Sequence, residues 1–166
     1  MPMCSRLSAR TESQGAGKTL APLSMKRSAA MDIIRPEVLA PAGDAERLKA
    51  AVYYGADAVY MGLGIFNARR GAKNFSDEEF EKAVRYCRIR GCKVYVTMNT
   101  LVGDREMEQA AQLARRVSDL GADAILVQDI GLLSVLKRIV PDIPLHASTQ
   151  MSIHDLAGVE AAAAMG

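Results

Sequence analysis

The sequence predicts an α/β protein built on parallel strands, and two observations carry that prediction. From Pro36 onward, short apolar or β-branched runs alternate with longer segments in which apolar residues recur every three or four positions. Such alternation is typical of successive βα units in a parallel sheet. The 166 residues are 49% hydrophobic and 24% charged, which is the composition of a globular domain and excludes a disordered chain or a disulfide-rich miniature protein.

Five strands and five helices are predicted in strict alternation. The first helix begins after Asp44, whose carboxylate can cap it, and the second begins with the capping box Ser76-Asp77-Glu78-Glu79. The second helix ends at Gly91, because glycine adopts the left-handed conformation that closes a helix. The predicted strands are 38–40, 58–62, 93–99, 124–129 and 145–149. The other helices are predicted at 105–120, at 131–139 and from Asp155 onward.

Five parallel strands are compatible with two architectures. An open sheet of flavodoxin type is complete with five strands and binds its ligand where the strand order reverses. A TIM-barrel-like (β/α)8 domain takes about 250 residues, so the chain would hold only five of its βα units. The turn Pro41-Ala42-Gly43-Asp44 is too short to cradle a dinucleotide, which speaks against the open sheet. Periodicity alone leaves both architectures open.

The first thirty residues differ in composition from the remainder. They carry five basic side chains against one acidic one, contain no aromatic residue and show no hydrophobic periodicity. Such a segment cannot bury enough surface to offset its ordering entropy. We therefore predict a disordered basic extension over residues 1–30 and an α/β domain over residues 31–166. The segment Gly15-Ala16-Gly17-Lys18-Thr19 resembles the end of a phosphate-binding loop but lacks that motif's first glycine and its preceding strand.

Composition also limits the protein class. No apolar run approaches the roughly 18 residues that a membrane-spanning helix needs, so no membrane partner is expected. Three cysteines are too few for a disulfide framework and are typical of a reducing, cytoplasmic environment. The α/β part is slightly acidic, and it shows no global bias toward nucleic acid.

Polar side chains cluster where the predicted strands end, and parallel α/β folds bind their ligands at those ends. Alternation along the fifth strand would place His146, Ser148 and Gln150 on one face. Substrate-binding candidates are Asn67, Arg69, Asn74, Asn99 and Gln150, and catalytic candidates are His146, Ser148 and Asp129. The basic group Arg69, Arg70 and Lys73 could hold an anion. Any one of the short polar residues could instead cap the following helix.

The sequence offers no complete hydrolytic or metal-binding constellation. His146 and Ser148 lie about 7 Å apart along one strand, whereas a nucleophile and its base must approach to about 2.6–3.2 Å. Neither histidine has a partner at a metal-binding spacing, and no metal site is predicted. Cys87 and Cys92 lie on either side of a helix end and are predicted to be packing residues.

Several motifs in series resemble one protein family. They are Val38-Leu39-Ala40-Pro41-Ala42-Gly43, Gly55-Ala56-Asp57-Ala58-Val59-Tyr60-Met61-Gly62, Phe66-Asn67-Ala68-Arg69, Lys93-Val94-Tyr95-Val96-Thr97-Met98-Asn99-Thr100 and His146-Ala147-Ser148-Thr149-Gln150. In this order they are similar to the opening of peptidase family U32, the collagenase-like proteases, over about residues 36–166. The resemblance implies a barrel-like α/β domain that is incomplete at its C-terminus, of which this chain holds the N-terminal five βα units.

The resemblance leaves three functions open. The chain could be a fragment of a U32 peptidase, part of an oxygen-independent hydroxylase of tRNA, rRNA or a ubiquinone precursor, or a truncated binding module without catalysis. In the hydroxylases a 4Fe-4S cluster is bound by four cysteines downstream of the matched stretch. Cys87 and Cys92 do not correspond to those ligands, so no cofactor is expected on this chain. The expected partners are an anionic substrate or RNA, and the open sheet edge could mediate self-association.

Overall fold

The computed structural model describes residues 35–68 and 74–166, and residues Arg35–Gly166 form a compact unit. Its strands are β1 (Leu39–Pro41), β2 (Ala58–Gly62), β3 (Lys93–Met98), β4 (Ala124–Val127) and β5 (Leu145–Ala147). Its helices are α1 (Ala45–Tyr53), α2 (Asp77–Arg88), α3 (Met107–Asp119), α4 (Ile130–Ile139) and α5 (Leu156–Met165). A 3-10 turn, Thr149–Met151, lies between β5 and α5. The extension predicted over residues 1–30 and the basic group Arg69, Arg70 and Lys73 lie outside the described residues.

Side-chain caps fix where most of the helices begin. Asp44, Asp129 and Asp155 each accept a hydrogen bond from a backbone N–H in the first turn of α1, α4 and α5. Ser76 and Glu79 form the predicted capping box of α2, because each side chain accepts the other residue's backbone N–H. The alternation predicted from the sequence is therefore confirmed, although α3 begins at Met107 rather than Arg105 and α2 ends at Arg88 rather than Gly91.

The strand order decides between the two architectures. The five described strands pair in the sequential order β1-β2-β3-β4-β5, and every pairing is parallel. A flavodoxin-like sheet reverses its order after the first connection, so the open-sheet alternative is wrong. Sequential parallel βα units are the arrangement of a TIM barrel, and the chain supplies five of them.

The two faces of the sheet have different surroundings. On one face, Val59, Val94, Val96 and Ile125 join the main hydrophobic core beneath the helices. On the other face, a small separate cluster forms around Tyr95, with Ala58, Ala124, Tyr60 and Leu126. No helical residue belongs to this second cluster in the described chain, so this face corresponds to the interior of the barrel.

Polar contacts at the amino ends of the strands fix the chain that enters β1. Asp57 accepts hydrogen bonds from the Val38 backbone N–H (2.8 Å) and from the Arg35 guanidinium (2.6 Å). These two bonds lower the pKa of Asp57 below its usual value. Glu37 in turn accepts hydrogen bonds from the Lys93 ammonium (2.7 Å) and from the Tyr95 hydroxyl. The segment before β1 is thereby bound to β2 and β3.

Three strands end earlier than the sequence predicts. β3 ends at Met98 rather than Asn99, β4 at Val127 rather than Asp129, and β5 at Ala147 rather than Thr149. In each case the polar residues beyond the strand bond to neighbouring loops or cap the next turn, and so leave the sheet ladder. Within the described ranges, none of the helices has the length and apolar character that crossing a bilayer requires.

Candidate functional site

A cavity of 470 Å³ opens at the carboxyl ends of the strands, on the barrel-interior side of the sheet. The three amide side chains in its lining belong to Asn74, Asn99 and Gln150. The lining also includes the hydroxyl-bearing residues Tyr60, Thr97, Ser148 and Thr149 and the imidazole of His146. Five of the predicted substrate-binding and catalytic residues, Asn74, Asn99, His146, Ser148 and Gln150, therefore line the cavity together with residues that the sequence did not single out.

The cavity lining is polar but carries no permanent charge among the described residues. It includes no carboxylate, ammonium or guanidinium group from the described ranges. His146 is the one imidazole among the described lining residues. The described lining therefore offers a ligand neutral hydrogen-bond donors and acceptors.

Asn99 connects three neighbouring loops at the mouth of the cavity. Its Oδ1 accepts a hydrogen bond from the Ala68 backbone N–H (3.0 Å), and its Nδ2 donates to Ser148 Oγ (3.4 Å). The side chain thus bridges the end of β3 to the segments that follow β2 and β5. Since both partners come from other loops, Asn99 both lines the site and holds it together.

Asn67 and Asn74 form an amide clamp in the loop after β2. Both side chains donate to the Gly64 carbonyl (2.9 and 3.0 Å), and Asn67 Nδ2 also lies 3.3 Å from Asn74 Oδ1. Asn67 is only 1% exposed and does not line the cavity, so its position indicates a role in ordering the loop. Gly62 permits this packing, because a Cβ there would lie 2.8 Å from Asn67 Cγ and 2.9 Å from Asn74 Oδ1.

Ser148 lines the cavity and caps the 3-10 turn that follows β5. Its Oγ accepts hydrogen bonds from the Gln150 backbone N–H (3.3 Å) and from Asn99, and the side chain is largely buried. The prediction that Ser148 and Gln150 continue strand alternation is wrong, because β5 ends at Ala147 and the chain turns there. The described hydrogen bonds of Ser148 do not include His146, which agrees with the spacing argument against a serine–histidine pair.

His146 enters the cavity against an aromatic neighbour. Its ring centroid lies 5.0 Å from that of Tyr95, with an interplanar angle of 82°, which is an edge-to-face contact. The Tyr95 hydroxyl donates to Glu37. Burial, together with the hydrogen bond to the Glu37 carboxylate, raises the pKa of Tyr95 to about 12. The imidazole is thus packed against a tyrosine that stays neutral over the whole physiological range.

Asp129 lies outside the cavity lining and caps a helix instead. One carboxylate oxygen accepts the Leu132 backbone N–H at 2.7 Å, and the other accepts the Val102 backbone N–H at 3.3 Å. These bonds connect the start of α4 to the loop after β3. The structure therefore gives this catalytic candidate a capping role, which was the alternative that its position in the sequence left open.

Two lining residues, Thr97 and Tyr60, were missed as site residues although sequence patterns point to them. Thr97 is buried, donates from Oγ1 to the Met61 carbonyl (3.2 Å) and faces the cavity. It shares a strand face with Asn99 by simple alternation, which is a signal that could have identified it. Tyr60 lies on the same sheet face, opposite Tyr95 in the register of β2 and β3.

The described cysteines do not fit an iron–sulfur cluster. Cys87 and Cys92 are buried in the helix-side core, on the opposite face of the sheet from the cavity. Burial raises the pKa of the Cys87 thiol to about 12 and also raises that of Cys92, so both thiols disfavour the thiolate that a cluster requires. Within residues 35–68 and 74–166, no group of three His, Cys, Asp or Glu side chains is placed to hold a metal ion.

The sequence was also compared with family models. The model for peptidase family U32 matches residues 43–166, which is most of the chain. The chain belongs to peptidase family U32. The resemblance noted from the strand-end motifs is thereby confirmed, and the match includes every described residue of the cavity lining except Leu39 and Ala42.

Curated relatives of the U32 chain carry names of different activities. It is 36% identical to the tRNA hydroxylation protein P1 of Bacillus subtilis, over 76% of this chain and 30% of that protein. It is 42% identical to a 23S rRNA 5-hydroxycytidine synthase of Escherichia coli, over 72% of this chain and 18% of that protein. It is 34% identical to a collagenase of Porphyromonas gingivalis, over 70% and 28% of the respective chains. The chain thus spans less than a third of each of these relatives.

Solved structures agree with the barrel architecture. A U32 peptidase structure superposes with a TM-score of 0.65 at 18% identity, covering 80% of this chain and 56% of that one. The structure of a putative deoxyribose-phosphate aldolase from Coccidioides immitis gives a TM-score of 0.51 at 13% identity, covering 78% of this chain and 53% of that one. At these identities the similarity concerns the fold alone, and it places the five βα units within a barrel of U32 type.

Proposed function

We propose that this chain forms the substrate-binding part of an RNA-hydroxylating enzyme of family U32, and that the cavity receives the base of the target nucleotide. The observation that carries the proposal is the group of three amide side chains, Asn74, Asn99 and Gln150, in the described lining of the 470 Å³ cavity. A nucleobase is planar and uncharged and presents both donors and acceptors on its edge. Asparagine and glutamine amides match such an edge, because each offers a donor and an acceptor together.

Access to the cavity requires the base to leave its stack. Enzymes that modify a base take it out of the helix or act on single-stranded substrate, and they hold it by hydrogen bonds and by aromatic contacts. Asn99 and Gln150 supply the hydrogen-bonding groups, and Tyr60 supplies an aromatic wall. His146 is the group that would donate a proton to the base or accept one from it.

The RNA-modifying relatives support this substrate class. The names of the Bacillus subtilis and Escherichia coli proteins refer to hydroxylation of tRNA and of a cytidine in rRNA. For the whole protein we propose a cytoplasmic location, where such RNAs occur, and a redox cofactor bound by residues other than those described here. We also propose that the free edges of β1 and β5 pair with further βα units or with a second copy.

Peptide hydrolysis is the second candidate, favoured by the family name and by the collagenase relative. A serine-peptidase mechanism in this cavity would use Ser148 as nucleophile with a base in hydrogen-bond contact. The hydroxyl oxygen of Ser148 instead accepts from Asn99 and from the Gln150 backbone N–H. These two bonds stabilise a turn and do not activate the hydroxyl, so RNA hydroxylation is the better supported function.

A chimera tests the proposal. Residues 43–166 would replace the matching segment of the tRNA hydroxylation protein P1, and the chimera would be expressed in a Bacillus subtilis strain that lacks the native protein. We expect the hydroxylated nucleoside to reappear in tRNA digests analysed by mass spectrometry. The same chimera should leave gelatin uncleaved.

Two outcomes would contradict the proposal. A stable, soluble chimera that restores no hydroxylated nucleoside would show that the cavity does not serve RNA hydroxylation. Cleavage of gelatin by that chimera, abolished by Ser148→Ala, would favour the peptidase instead. Expression and solubility are checked first on the chimera carrying Leu101→Ala, an exposed position outside the cavity lining.

A further inference from the structure

We propose that the carboxyl ends of α1 and α2 form a second RNA contact, which binds single-stranded RNA by base stacking and one phosphate interaction. This tyrosine–arginine surface consists of Tyr53, Tyr54, Tyr86 and Arg90. The choice of RNA as the partner rests on the proposed function. The presence of exposed aromatic and cationic side chains at this place is independent of the proposed function.

The barrel topology places the four residues at the same end of the barrel, on adjacent helices. α1 and α2 connect consecutive parallel strands and pack side by side, so both helices end at the same face of the barrel. On α2, Arg88 points toward α3, where its guanidinium donates to the Gly121 carbonyl. Tyr86 lies two residues earlier, about 200° around the helix, and Arg90 follows one turn after it. Tyr86 and Arg90 therefore lie on the side of α2 that faces α1, at the end of the barrel where Tyr53 and Tyr54 end α1.

Two adjacent tyrosines at the end of α1 are almost fully exposed. Tyr53 is 81% exposed and Tyr54 is 85% exposed, although tyrosine usually buries much of its ring. Their ring centroids lie 5.2 Å apart with an interplanar angle of 85°, so one ring supports the other in an edge-to-face pair. Exposed aromatic rings of this kind are the platforms on which single-stranded bases stack without sequence preference.

Arg90 adds a positioned positive charge. Its guanidinium carbon lies 3.7 Å above the centroid of the Tyr86 ring, and its Nη1 donates to the Tyr86 carbonyl at 3.1 Å. The described ion pairs give Arg90 no carboxylate partner within 4.0 Å, and the same is true of the neighbouring Arg85 and Arg88. Because the side chain is already held in place, it can bind a phosphate with little further loss of conformational entropy.

The position of the surface constrains the RNA. The cavity opens at the carboxyl ends of the strands, whereas the tyrosine–arginine surface lies at the opposite end of α2. The 12 residues of α2 span about 18 Å at 1.5 Å per residue. An RNA that places its base in the cavity must therefore extend over several nucleotides to reach this surface, since 18 Å corresponds to about five nucleotides at the roughly 3.4 Å spacing of a stacked strand. A mononucleotide bound in the cavity would gain no affinity from the tyrosine–arginine surface.

Fluorescence anisotropy with the full chain tests the proposal. The probe is a labelled oligouridylate of about 12 nucleotides, within the usual range of single-strand binding sites. We expect the double variant Tyr53→Ala/Tyr54→Ala to raise the dissociation constant at least fivefold, and Arg90→Ala to weaken binding and reduce its salt dependence. Tyr53→Phe should retain the wild-type affinity, because phenylalanine preserves the stacking ring. Arg138→Ala, an exposed arginine at the end of α4, is the matched control and should leave affinity unchanged.

Three results would overturn the inference. The first is an affinity for the oligonucleotide that is too weak to measure. The second is an unchanged dissociation constant in the double tyrosine variant. The third is a change in sedimentation of that variant with RNA affinity retained, which would make the surface a protein contact. Each is separable from failure of the proposed function, because the chimera reports hydroxylation and the anisotropy reports binding remote from the cavity.

Discussion

At the residue scale, the site depends on a few side chains that bind more than one loop. Asn99 contacts Ala68 and Ser148, and the amide clamp of Asn67 and Asn74 closes over Gly62. The sequence predicted these three asparagines as substrate-binding residues because they follow strand ends. It could not show that Asn67 is buried, because that depends on packing against a glycine five residues earlier. The predicted role of Arg69 stays a prediction, since that residue lies outside the described ranges.

Gly62→Ala should destabilise the protein. The new Cβ would lie 2.8 Å from Asn67 Cγ and 2.9 Å from Asn74 Oδ1, so the amide clamp would have to shift. We expect a loss of about 1–3 kcal/mol in the free energy of unfolding, measured by urea denaturation. Gly103→Ala is the control, because its Cβ would meet only the flexible end of Glu106 at 3.4 Å. Equal free energies of unfolding for the two variants would contradict the close packing of the amide clamp against Gly62.

The Cys87 thiol should be unreactive in the folded protein. Burial raises its pKa to about 12, so almost no thiolate exists at neutral pH and the sulfur is inaccessible. In a Cys4→Ser background, we expect Ellman's reagent to modify Cys87 and Cys92 only after denaturation. Rapid, stoichiometric modification under native conditions would show that the two thiols are not core residues.

Glu37 should make stability depend on acid pH. Hydrogen bonds from Lys93 and Tyr95 lower its pKa below the ordinary value of 4.5. A depressed carboxylate pKa stabilises the fold above the unfolded value, and that contribution is lost as the pH falls through the folded value. Glu37→Gln should therefore lose stability at neutral pH and show a smaller further loss below about pH 4.5 than the wild type. The measurement is a series of thermal melts across the acid range, with Glu81→Gln, at an exposed position on α2, as the control. An identical pH dependence of stability in all three proteins would show that the bonds of Glu37 to Lys93 and Tyr95 do not stabilise the fold.

At the element scale, caps and turns decide where the strands stop. Ser148 and Asp129 end their strands' pairing by bonding to nearby backbone N–H groups. Short polar side chains compete with the sheet ladder in this way, and alternation along the sequence does not reveal which of the two bonds forms. The strand starts and the α2 capping box were predictable because they depend on neighbouring residues only. The early end of β5 was not predictable from the sequence, because it depends on a turn whose Ser148 also contacts Asn99, a residue distant in the sequence.

Two substitutions of Asp129 distinguish a helix-capping role from a catalytic role. Asparagine is a good N-cap, so Asp129→Asn should retain the start of α4, whereas Asp129→Ala should cost about 1 kcal/mol in the free energy of unfolding. If Asp129 is only a cap, the chimera with Asp129→Asn keeps its hydroxylation activity. A stable Asp129→Asn chimera without activity would restore the catalytic hypothesis.

At the scale of the whole molecule, strand order turned an ambiguous pattern into a barrel. The sequence predicted five parallel βα units, and both an open sheet and a barrel were consistent with them. The order β1-β2-β3-β4-β5 and the helix-free interior face favour the barrel. Neither feature could be read from periodicity, because both depend on which strands pair. The contact of Tyr95 with Glu37 was equally hidden, since it joins residues 58 positions apart.

The outer edges of β1 and β5, which have no strand partner among the described residues, should make the isolated chain self-associate. Unpaired backbone groups on an edge strand pair readily with another chain. Sedimentation velocity of the 166-residue chain should show oligomers whose proportion rises with concentration. A monodisperse monomer that unfolds in one cooperative calorimetric transition would show that the edges need no partner.

The central claim is that the cavity at the strand ends holds an RNA base through its neutral amides. Its most direct test is the rate of tRNA hydroxylation by the chimera with Asn99→Ala, compared with the chimera carrying Leu101→Ala. We predict that loss of the Asn99 amide lowers kcat/KM about tenfold, equivalent to the loss of one good hydrogen bond. Leu101→Ala should leave the rate unchanged. Equal rates for the two variants, with both folded, would contradict the claim.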